Sequence, residues 1–506
     1  MDFYKILEER RLSSLLRVEL YNYVDFENSH TVYSVLDSLR SEPQKRVLIY
    51  GDYDVDGLMF ALIARDFVRS IGCKNYEVFR YEHRTHELDK NAVRYCIQNH
   101  FNYFIIGDTA SSDMDSLKML RSYGIQVIVL DHHNTRYSYS DYPDIGIVNT
   151  MIENQILGDS VYAYSAAALG YVIFDAYLHR CGLEFITKAE AYALVSLYSD
   201  CMDMSNSLNR AIYYKATDVE KERLPKFIKH FMNQYQRFSA RFIGFWFAPR
   251  INSMFRSENF QILNRYFFDD SIDAVGITDC INSINESYQT DRENVRLLSD
   301  IVDYEELDHF VYSDLESAYE KSGFHMRNVQ NYTGLVANKL SERCGKTAIV
   351  FCEYEGQYKG SVRDLFGKNY LKIFKQLGFA EGHNSAFGIK IRLFELQRYL
   401  DRVKRIDEKF YVSDMNEPII IDHEYVTPDT GLIEDIARYN EFSGNSVPIC
   451  YLNKRLIGAM KEYKSAYYYK YAWGDYYIQS DYPILFGTKM LVKPILSGQT
   501  KLLYQK

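Results

Sequence analysis

Several features that define other classes of protein are missing from this 506-residue sequence. No apolar run approaches the length that crosses a bilayer, and the first residues mix acidic, basic and aromatic side chains, unlike a signal peptide. The eight cysteines are scattered, with no CxxC pair and no spacing suited to zinc, so free thiols in a reducing compartment are expected. These absences favour a cytoplasmic protein without a membrane partner.

The sequence also lacks an excess of basic residues. It has 59 lysines and arginines against 68 aspartates and glutamates, which gives a net charge of -9. A protein that coats nucleic acid by neutralising phosphates is therefore disfavoured. An enzyme with a local basic groove is still compatible, because a carboxylate cluster that binds metal ions contributes negative charge of its own. The 46 tyrosines could stack on bases, but their even spread favours half-buried surface positions.

Three short β-rich segments each end in acidic or histidine residues. The segments are 46–50, 103–107 and 125–130, and the residues that follow them are Gly51-Asp52, Asp108 and Asp131-His132-His133. Helical stretches, for example 58–70 and 114–123, lie between them. This alternation predicts an α/β fold with a parallel sheet covered on both faces. Open parallel sheets bind ligands at the carboxyl edge, where these side chains would meet.

Changes of pattern along the chain predict five segments. They are an N-terminal helical segment (1–45), the parallel-sheet domain (46–215), a helical connector with a Pro-Arg-Ile-Asn segment (216–300), a second α/β domain (301–403) and a β-rich C-terminal domain, perhaps a barrel (404–506). The second α/β domain is predicted from a helix at 334–343 and a strand at 347–351. The C-terminal domain is predicted from short strands at 410–412, 419–421, 448–451, 476–478 and 490–492.

The turn after the first strand carries Asp52, Asp54 and Asp56 at alternate positions. Charges this close repel one another at neutral pH, and a bound divalent cation would remove that cost. An EF-hand calcium loop is excluded, because its twelfth position, counted from Asp52, is Ile63 and not glutamate.

His132 and His133 add imidazole to this oxygen-rich set. Mixed carboxylate and imidazole ligands suit Mn²⁺ or a similar divalent ion, and two such ions can bind a phosphate between them. Any one of these residues alone would more often be a helix cap or a surface histidine. Their position at adjacent strand ends favours a metal site.

These motifs resemble those of the DHH phosphoesterase superfamily and, within it, the RecJ single-strand exonucleases. The matching segments of the first domain are Asp52–Gly57, Asp108, Asp131–His133, and Asp200 followed by Asn209-Arg210, with Asp203 as the alternative to Asp200. Downstream, the matching segments are Ala248–Arg256, Gly334–Arg343, Gly360–Arg363, Gly382–Gly388 and Glu441–Pro448. The resemblance covers residues 46 to 460 in the same order, and implies a DHH domain, a DHH-associated domain and an OB-like C-terminal domain.

The resemblance implies a phosphodiesterase with two divalent cations, Mn²⁺ first and Mg²⁺ second. One cation would be bound by Asp54 and Asp108, and the other by Asp56, Asp108, His132 and Asp200, with Asp52 as a supporting residue or further ligand. Four residues are predicted to be catalytic: Asp131, His133, Arg363 and His383. Eight are predicted to bind substrate: Arg84, Arg210, Arg250, Asn252, Arg256, Ser361, Arg363 and His383.

The implied activity is 5′→3′ cleavage of single-stranded DNA to 5′-mononucleotides in repair, recombination or replication, with RNA left open. Single-strand-binding protein or other replication and repair proteins are the expected partners. Where family members commonly have histidine four residues before the first ligand, this chain has Tyr50, so one cation site would lose an imidazole.

Two other functions stay open. The first is a DHH hydrolase of short oligonucleotides or cyclic dinucleotides, although those relatives are usually shorter. The second is a non-catalytic, nucleic-acid-binding component of the replisome. The non-catalytic alternative is disfavoured because clustered acidic residues are costly to keep without a bound metal.

Overall fold

The computed structural model describes residues 3–10, 12–17, 26–82, 88–158, 161–233, 236–315, 329–364, 370–383, 386–407, 419–422, 428–443, 449–455, 462–464, 469–473, 476–480, 489–497 and 499–505. The chain forms two compact units. Unit 1 contains Met1–Asn252, Phe260–Ile281 and Pro418–Lys506, and unit 2 contains Ser253–Asn259 and Asn282–Glu417. No helix among the described residues is long and apolar enough to cross a membrane.

Unit 1 contains a five-stranded, wholly parallel sheet with the order β2-β1-β3-β4-β5. Its strands are β1 (Val47–Gly51), β2 (Tyr76–Val78), β3 (Tyr103–Gly107), β4 (Gln126–Asp131) and β5 (Gly146–Asn149). Gly51 pairs in register with Gly107, and Gly107 with Leu130. Asp52, Asp108 and Asp131 therefore leave the sheet at the same edge.

Helices connect and cover these strands. They are α1 (Phe3–Glu9), α2 (Ser29–Ser41), α3 (Val55–Ser70), α4 (Lys90–Gln98), α5 (Met114–Ser122), α6 (Thr150–Leu157), α7 (Ala166–Arg180), α8 (Glu190–Ser199) and α9 (Ser207–Thr217). Helix α3 is buried from Val55 to Val68 because it packs against β1, α7 and α8. This burial on all sides fits the unbroken apolar stretch Leu58–Ala64 in the middle of the helix.

The predicted connector is helical. It contains α10 (Lys226–Lys229), α11 (Ala240–Phe242), a π-helical turn (Ile243–Phe247), α12 (Ala248–Arg256), α13 (Phe260–Phe268) and the 28-residue α14 (Ala274–Ile301).

Unit 2 is built on a six-stranded mixed sheet with the order β10-β11-β9-β8-β7-β6. Its strands are β6 (Glu305–Glu306), β7 (Phe310–Asp314), β8 (Thr347–Tyr354), β9 (Gln357–Arg363), β10 (Phe379–His383) and β11 (Ala386–Arg392). Its later helices are α15 (Thr333–Cys344), α16 (Leu371–Leu377) and α17 (Leu396–Asp407). Two apolar cores stabilise it, one around Phe310, Ile349 and Phe374, and the other around Val311, Val336 and Val350.

The C-terminal part of unit 1 carries a seven-stranded sheet with the order β12-β13-β17-β18-β16-β15-β14. Its strands are β12 (Ile419–Asp422), β13 (Cys450–Arg455), β14 (Glu462–Lys464), β15 (Tyr469–Trp473), β16 (Tyr476–Ser480), β17 (Lys489–Ser497) and β18 (Gln499–Gln505). One helix that the sequence did not predict, α18 (Thr430–Asn440), packs against β17.

The predicted fold class is confirmed: a parallel-sheet α/β domain, a helical region, a second α/β domain and a β-rich C-terminal part. The boundaries of the five segments stay a prediction. The predicted strand 410–412 and the OB-like segment from Gly444 to Pro448 lie outside the described residues.

Candidate metal centre and active site

The turn between β1 and α3 needs glycine at both of its ends. A Cβ atom on Gly51 would lie 1.8 Å from the carbonyl oxygen of Gly57, and one on Gly57 would lie 2.2 Å from the backbone nitrogen of Asp52. Only glycine allows backbone this close. Asp54 then caps α3, and its carboxylate accepts a hydrogen bond from the Gly57 N–H at 3.0 Å.

Asp56 is buried at the start of α3, where other helices hold its carboxylate. Oδ2 accepts from the Ala166 N–H and Oδ1 from the Ala167 N–H, both at 2.8 Å, and the Ser196 hydroxyl donates to Oδ1 at 2.5 Å. The two amides belong to the N-terminus of α7, which favours negative charge. Burial and the nearby Asp200 and Asp54 nevertheless raise the pKa of Asp56 to about 7.

Asp108 follows β3 with φ of +66°. Aspartate is one of the few residues that adopts this left-handed conformation without a large penalty. Its N–H donates to the Leu130 carbonyl at 3.1 Å, which fixes the turn against β4. Burial, followed by the charges of Asp56 and Asp54, raises the pKa of Asp108 well above its ordinary value.

Asp131 orients both histidines that follow it. Its Oδ1 accepts from the backbone N–H of His132 at 2.7 Å and from that of His133 at 3.1 Å, and lies 2.9 Å from Nδ1 of His133. Burial alone would raise the pKa of Asp131, but the charge and hydrogen bond of His133 hold it below its usual range. Although burial works against it, Asp131 raises the pKa of His133 to about 10.

Three carboxylates converge on Nε2 of His132. The nearest oxygens are Oδ1 of Asp108 at 3.1 Å, Oδ2 of Asp200 at 3.5 Å and Oδ2 of Asp56 at 3.7 Å. Asp200 reaches this point because it caps the C-terminus of α8. Asp203, by contrast, accepts from the Ser205 N–H at 2.8 Å, as a turn-capping residue does.

This donor set fits divalent cations. Two triplets offer ligand atoms that lie within 4.8 Å of one another: Asp108, His132 and His133, and Asp56, His132 and Asp200. Carboxylate oxygen with imidazole nitrogen suits Mn²⁺ or Mg²⁺ better than a soft metal. A bound cation would also offset the repulsion that raises the pKa values of Asp54, Asp56 and Asp108.

Comparison with known proteins agrees with this geometry. Residues 46–195 match the DHH family, N-terminal domain. The chain is 22% identical to the single-stranded-DNA-specific exonuclease RecJ of Bacillus subtilis, over 79% of this chain and 50% of that protein. It is 21% identical to RecJ of Escherichia coli, over 76% of this chain and 69% of that protein.

The crystal structure of RecJ from Thermus thermophilus in complex with Mn²⁺ superimposes with a TM-score of 0.71 at 17% identity, and covers 99% of this chain and 74% of that one. Residues 46–195 therefore form a DHH-family domain, and the fold of the chain is like that of RecJ. The chain spans half the length of the Bacillus subtilis relative.

Tyr50, which stands where the DHH family motif commonly has histidine, is buried near the end of β1. Its ring packs against Tyr53, Phe79 and Phe104, with ring centroids 6.0 to 6.4 Å apart. Burial raises the pKa of its hydroxyl well above the ordinary value, followed by the charge of Asp52. The phenol is therefore neutral at physiological pH. The loss of an imidazole from one cation site stays a prediction.

The predicted substrate-binding residues of unit 1 have different surroundings. Arg84 lies outside the described residues. Arg210 is buried and donates to the carbonyls of Met204 and Ser205, which are contacts of a structural residue. Arg250 stacks on Trp246, and Asn252 is half-buried on α12. Their roles in substrate binding stay predictions.

In unit 2, Ser361 and Arg363 lie on β9 beside the N-terminus of α15. The Ser361 and Thr333 hydroxyls are 2.9 Å apart, and a Cβ on Gly334 would lie 2.5 Å from Nη2 of Arg363. A hydroxyl, a guanidinium and a helix N-terminus together suit a phosphate.

The other two residues of unit 2 that are predicted to bind substrate, His383 and Arg256, lie on different elements, β10 and α12. The backbone of His383 pairs in register with Ala386, which in turn pairs with Arg363. The Arg256 guanidinium is bound to the Asp291 carboxylate at 2.7 Å.

Sequence reasoning missed the residues that hold Asp56. Ser196 and the Ala166 and Ala167 amides carry no chemical signature of their own. The one available signal was Ser165, which begins the small-residue run 165–168 and caps α7.

Proposed function

We propose that this chain is a metal-dependent exonuclease that cleaves single-stranded DNA in the 5′→3′ direction and releases 5′-mononucleotides. The observation that carries the proposal is the convergence of Asp56, Asp108 and Asp200 on His132 in a DHH-family fold. The RecJ names of its curated relatives supply the substrate and reaction class.

In this proposal two cations, Mn²⁺ first and Mg²⁺ second, are bound by Asp54, Asp56, Asp108, His132 and Asp200, with Asp52 close to them. Bound divalent cations supply an activated water and neutralise charge on the phosphate. The chain's own residues orient the substrate. His133 has 43% of its side chain exposed, and its Nδ1 contacts Asp131, so Nε2 is the ring nitrogen that would bind a phosphoryl oxygen.

Unit 2 would bind a backbone phosphate through Ser361, Arg363 and the N-terminus of α15, with His383 as a further contact. An Arg363→Ala variant should therefore lower kcat/KM at an unchanged affinity for Mn²⁺. Arg84, Arg210, Arg250, Asn252 and Arg256 stay candidates for strand binding. A cytoplasmic location, a role in repair, recombination or replication, and single-strand-binding protein as a partner belong to the same proposal.

The test uses strands labelled at the 5′ or 3′ end, single-stranded or duplex, DNA or RNA, and in parallel cyclic dinucleotides, with Mn²⁺, Mg²⁺ or EDTA. We expect metal-dependent release of a 5′-terminal mononucleotide from single-stranded DNA. Absence of any cleavage of single strands would contradict the proposal, and cleavage confined to dinucleotides would favour an oligonucleotide or cyclic-dinucleotide hydrolase.

A matched pair of variants compares Asp200, the predicted metal ligand, with the nearby Asp203. Asp200→Asn should abolish cleavage, because it removes a ligand charge. Asp203→Asn should keep it, because asparagine still accepts from the Ser205 N–H. Equal effects of the two changes would remove Asp200 from the site.

A further inference from the structure

A short turn between α11 and α12 exposes two large aromatic side chains. Phe245 is 72% exposed and Trp246 is 40% exposed, and both belong to the π-helical turn Ile243–Phe247. No atom lies within 4 Å of a Cβ built on Gly244, so this side of the turn faces open space, whereas Ile243 and Phe247 are buried. Adjacent exposed aromatics on a π-helical turn are typical of a binding surface and not of a folding core.

Two arginines lie beside these rings. The Arg250 guanidinium is 3.8 Å from the centroid of the Trp246 ring and donates to the Trp246 carbonyl at 2.7 Å. The half-buried Arg241 lies 5.6 Å from the centroid of Phe245. The indole N–H of Trp246 donates to the Phe231 carbonyl at 2.9 Å, so the ring is held in place and its polar atom is already bonded.

The turn packs against the helix that precedes a predicted metal ligand. This helix is α8 (Glu190–Ser199), and its C-cap residue is Asp200. Just before the turn, the Ala240 N–H donates to the Glu441 carboxylate at 3.2 Å, and the Glu441 carbonyl accepts from the Tyr198 hydroxyl at 3.0 Å. The aromatic pair is therefore fixed relative to the metal centre within unit 1.

We propose that Phe245 and Trp246 form a platform on which bases of the single-stranded substrate stack. The half-buried Arg241 beside Phe245 adds positive charge for the phosphates, and the buried Arg250 holds the Trp246 ring in place. Aromatic rings accept every base because each base has a π face, and arginine complements the backbone. The inference rests on the proposed single-strand nuclease function and adds a site that contacts bases and not only phosphates.

The test compares two ligands of equal length and charge, a single-stranded dT oligonucleotide and the same strand with abasic positions. Binding to the full chain is measured by fluorescence anisotropy in EDTA, which prevents metal-dependent cleavage. We expect a Phe245→Ala/Trp246→Ala variant to bind the dT strand about tenfold more weakly and the abasic strand as wild type does. Phe245→Ala alone, at the more exposed position, should show part of the loss without risk to folding.

Three controls make the outcome decisive. Tyr123→Ala removes an aromatic ring that is 66% exposed at the end of α5, and should leave binding unchanged. Phe245→Tyr/Trp246→Phe should restore it. In a Trp473→Phe background, Trp246 is the one remaining tryptophan, and its fluorescence should be quenched by the dT strand.

The two proposals fail in different ways. Unchanged dT binding by the double alanine variant, or an equal loss for dT and abasic strands, would overturn the stacking platform while cleavage by the wild type still supports the nuclease. A wild type that neither binds nor cleaves single strands would overturn both.

Discussion

Asp108 combines three properties that few other side chains could supply at its position. It adopts φ of +66°, its carboxylate lies 3.1 Å from Nε2 of His132, and its pKa is raised well above the ordinary value by burial and by Asp56 and Asp54. The backbone conformation favours aspartate, asparagine or glycine. Burial and the neighbouring carboxylates both disfavour the charged form of Asp108, and a bound cation would offset that cost.

An Asp108→Asn variant tests whether a bound cation offsets the cost of placing several carboxylates together. Asparagine tolerates the left-handed backbone and removes one negative charge, so the variant should be as stable as wild type in EDTA, or more so. Mn²⁺ at 100 times its Kd should stabilise wild type by about 2.7 kcal/mol but leave the variant unchanged. Cleavage should fall at least about 100-fold, because even supporting residues of metal sites are worth 10- to 100-fold.

Thermal unfolding with and without Mn²⁺, together with titration calorimetry, measures these effects. An Asp108→Asn variant that is stabilised by Mn²⁺ as much as wild type would contradict the ligand assignment.

At the scale of elements, Glu441 at the end of α18 joins the C-terminal part of unit 1 to α8, α9 and α11. Its carboxylate accepts from the Tyr213 hydroxyl at 3.3 Å and the Ala240 N–H at 3.2 Å, and the Phe442 ring packs on Tyr213. Arg241 and Lys493 also face it. Burial raises the pKa of Glu441 to about 7, because these partners only partly replace the lost hydration.

Glu441→Gln should therefore change stability in a pH-dependent way. Since the folded pKa lies above the ordinary value of 4.5, the stability associated with protonated Glu441 is complete below pH 4.5 and is lost as the pH rises through about 7. The uncharged glutamine should make the protein more stable than wild type at pH 8, by at most about 3 kcal/mol, and no more stable near pH 4.5.

Denaturant unfolding at the two pH values measures the difference. Glu434→Gln, at an exposed position on the same helix, serves as the control and should have no such pH dependence. A gain for Glu441→Gln that is equal at both pH values would contradict the burial argument.

At the scale of the whole molecule, the predicted metal ligands all belong to unit 1, whereas Ser361, Arg363 and His383 belong to unit 2. Among the described residues, no sheet is shared between the two units, and unit 2 has its own apolar cores. Cation binding is therefore expected to stabilise one unit directly and not the other.

Hydrogen exchange with Mn²⁺ or with EDTA tests this expectation. Mn²⁺ should slow amide exchange in β1, β3, β4, α3, α7 and α8, since these elements hold the ligands. Strands β7 to β11 of unit 2 should exchange equally under both conditions. Protection of equal size in both units would show that they do not respond separately to the metal.

Local patterns along the chain are enough to predict the fold class and the chemical character of the site. Three buried strands that end in Asp52, Asp108 and Asp131 predict one sheet edge, because parallel strands bring their carboxyl ends together whatever the rest of the chain does. His132 and His133 come directly after Asp131, so the same rule places them at this edge of the sheet. Strand β5 was not predicted, nor was α18, whose helical signal lies among strand-forming segments.

The groups that support that site come from distant segments of the chain, and they are visible only in the folded structure. Ser196 lies 140 positions from Asp56 in the sequence and bonds to it in space. Arg210 is buried and donates to the carbonyls of Met204 and Ser205, and no local sequence pattern marks the aromatic pair at 245 and 246 as exposed. Contacts between distant segments depend on how helices pack, and no local pattern encodes that packing.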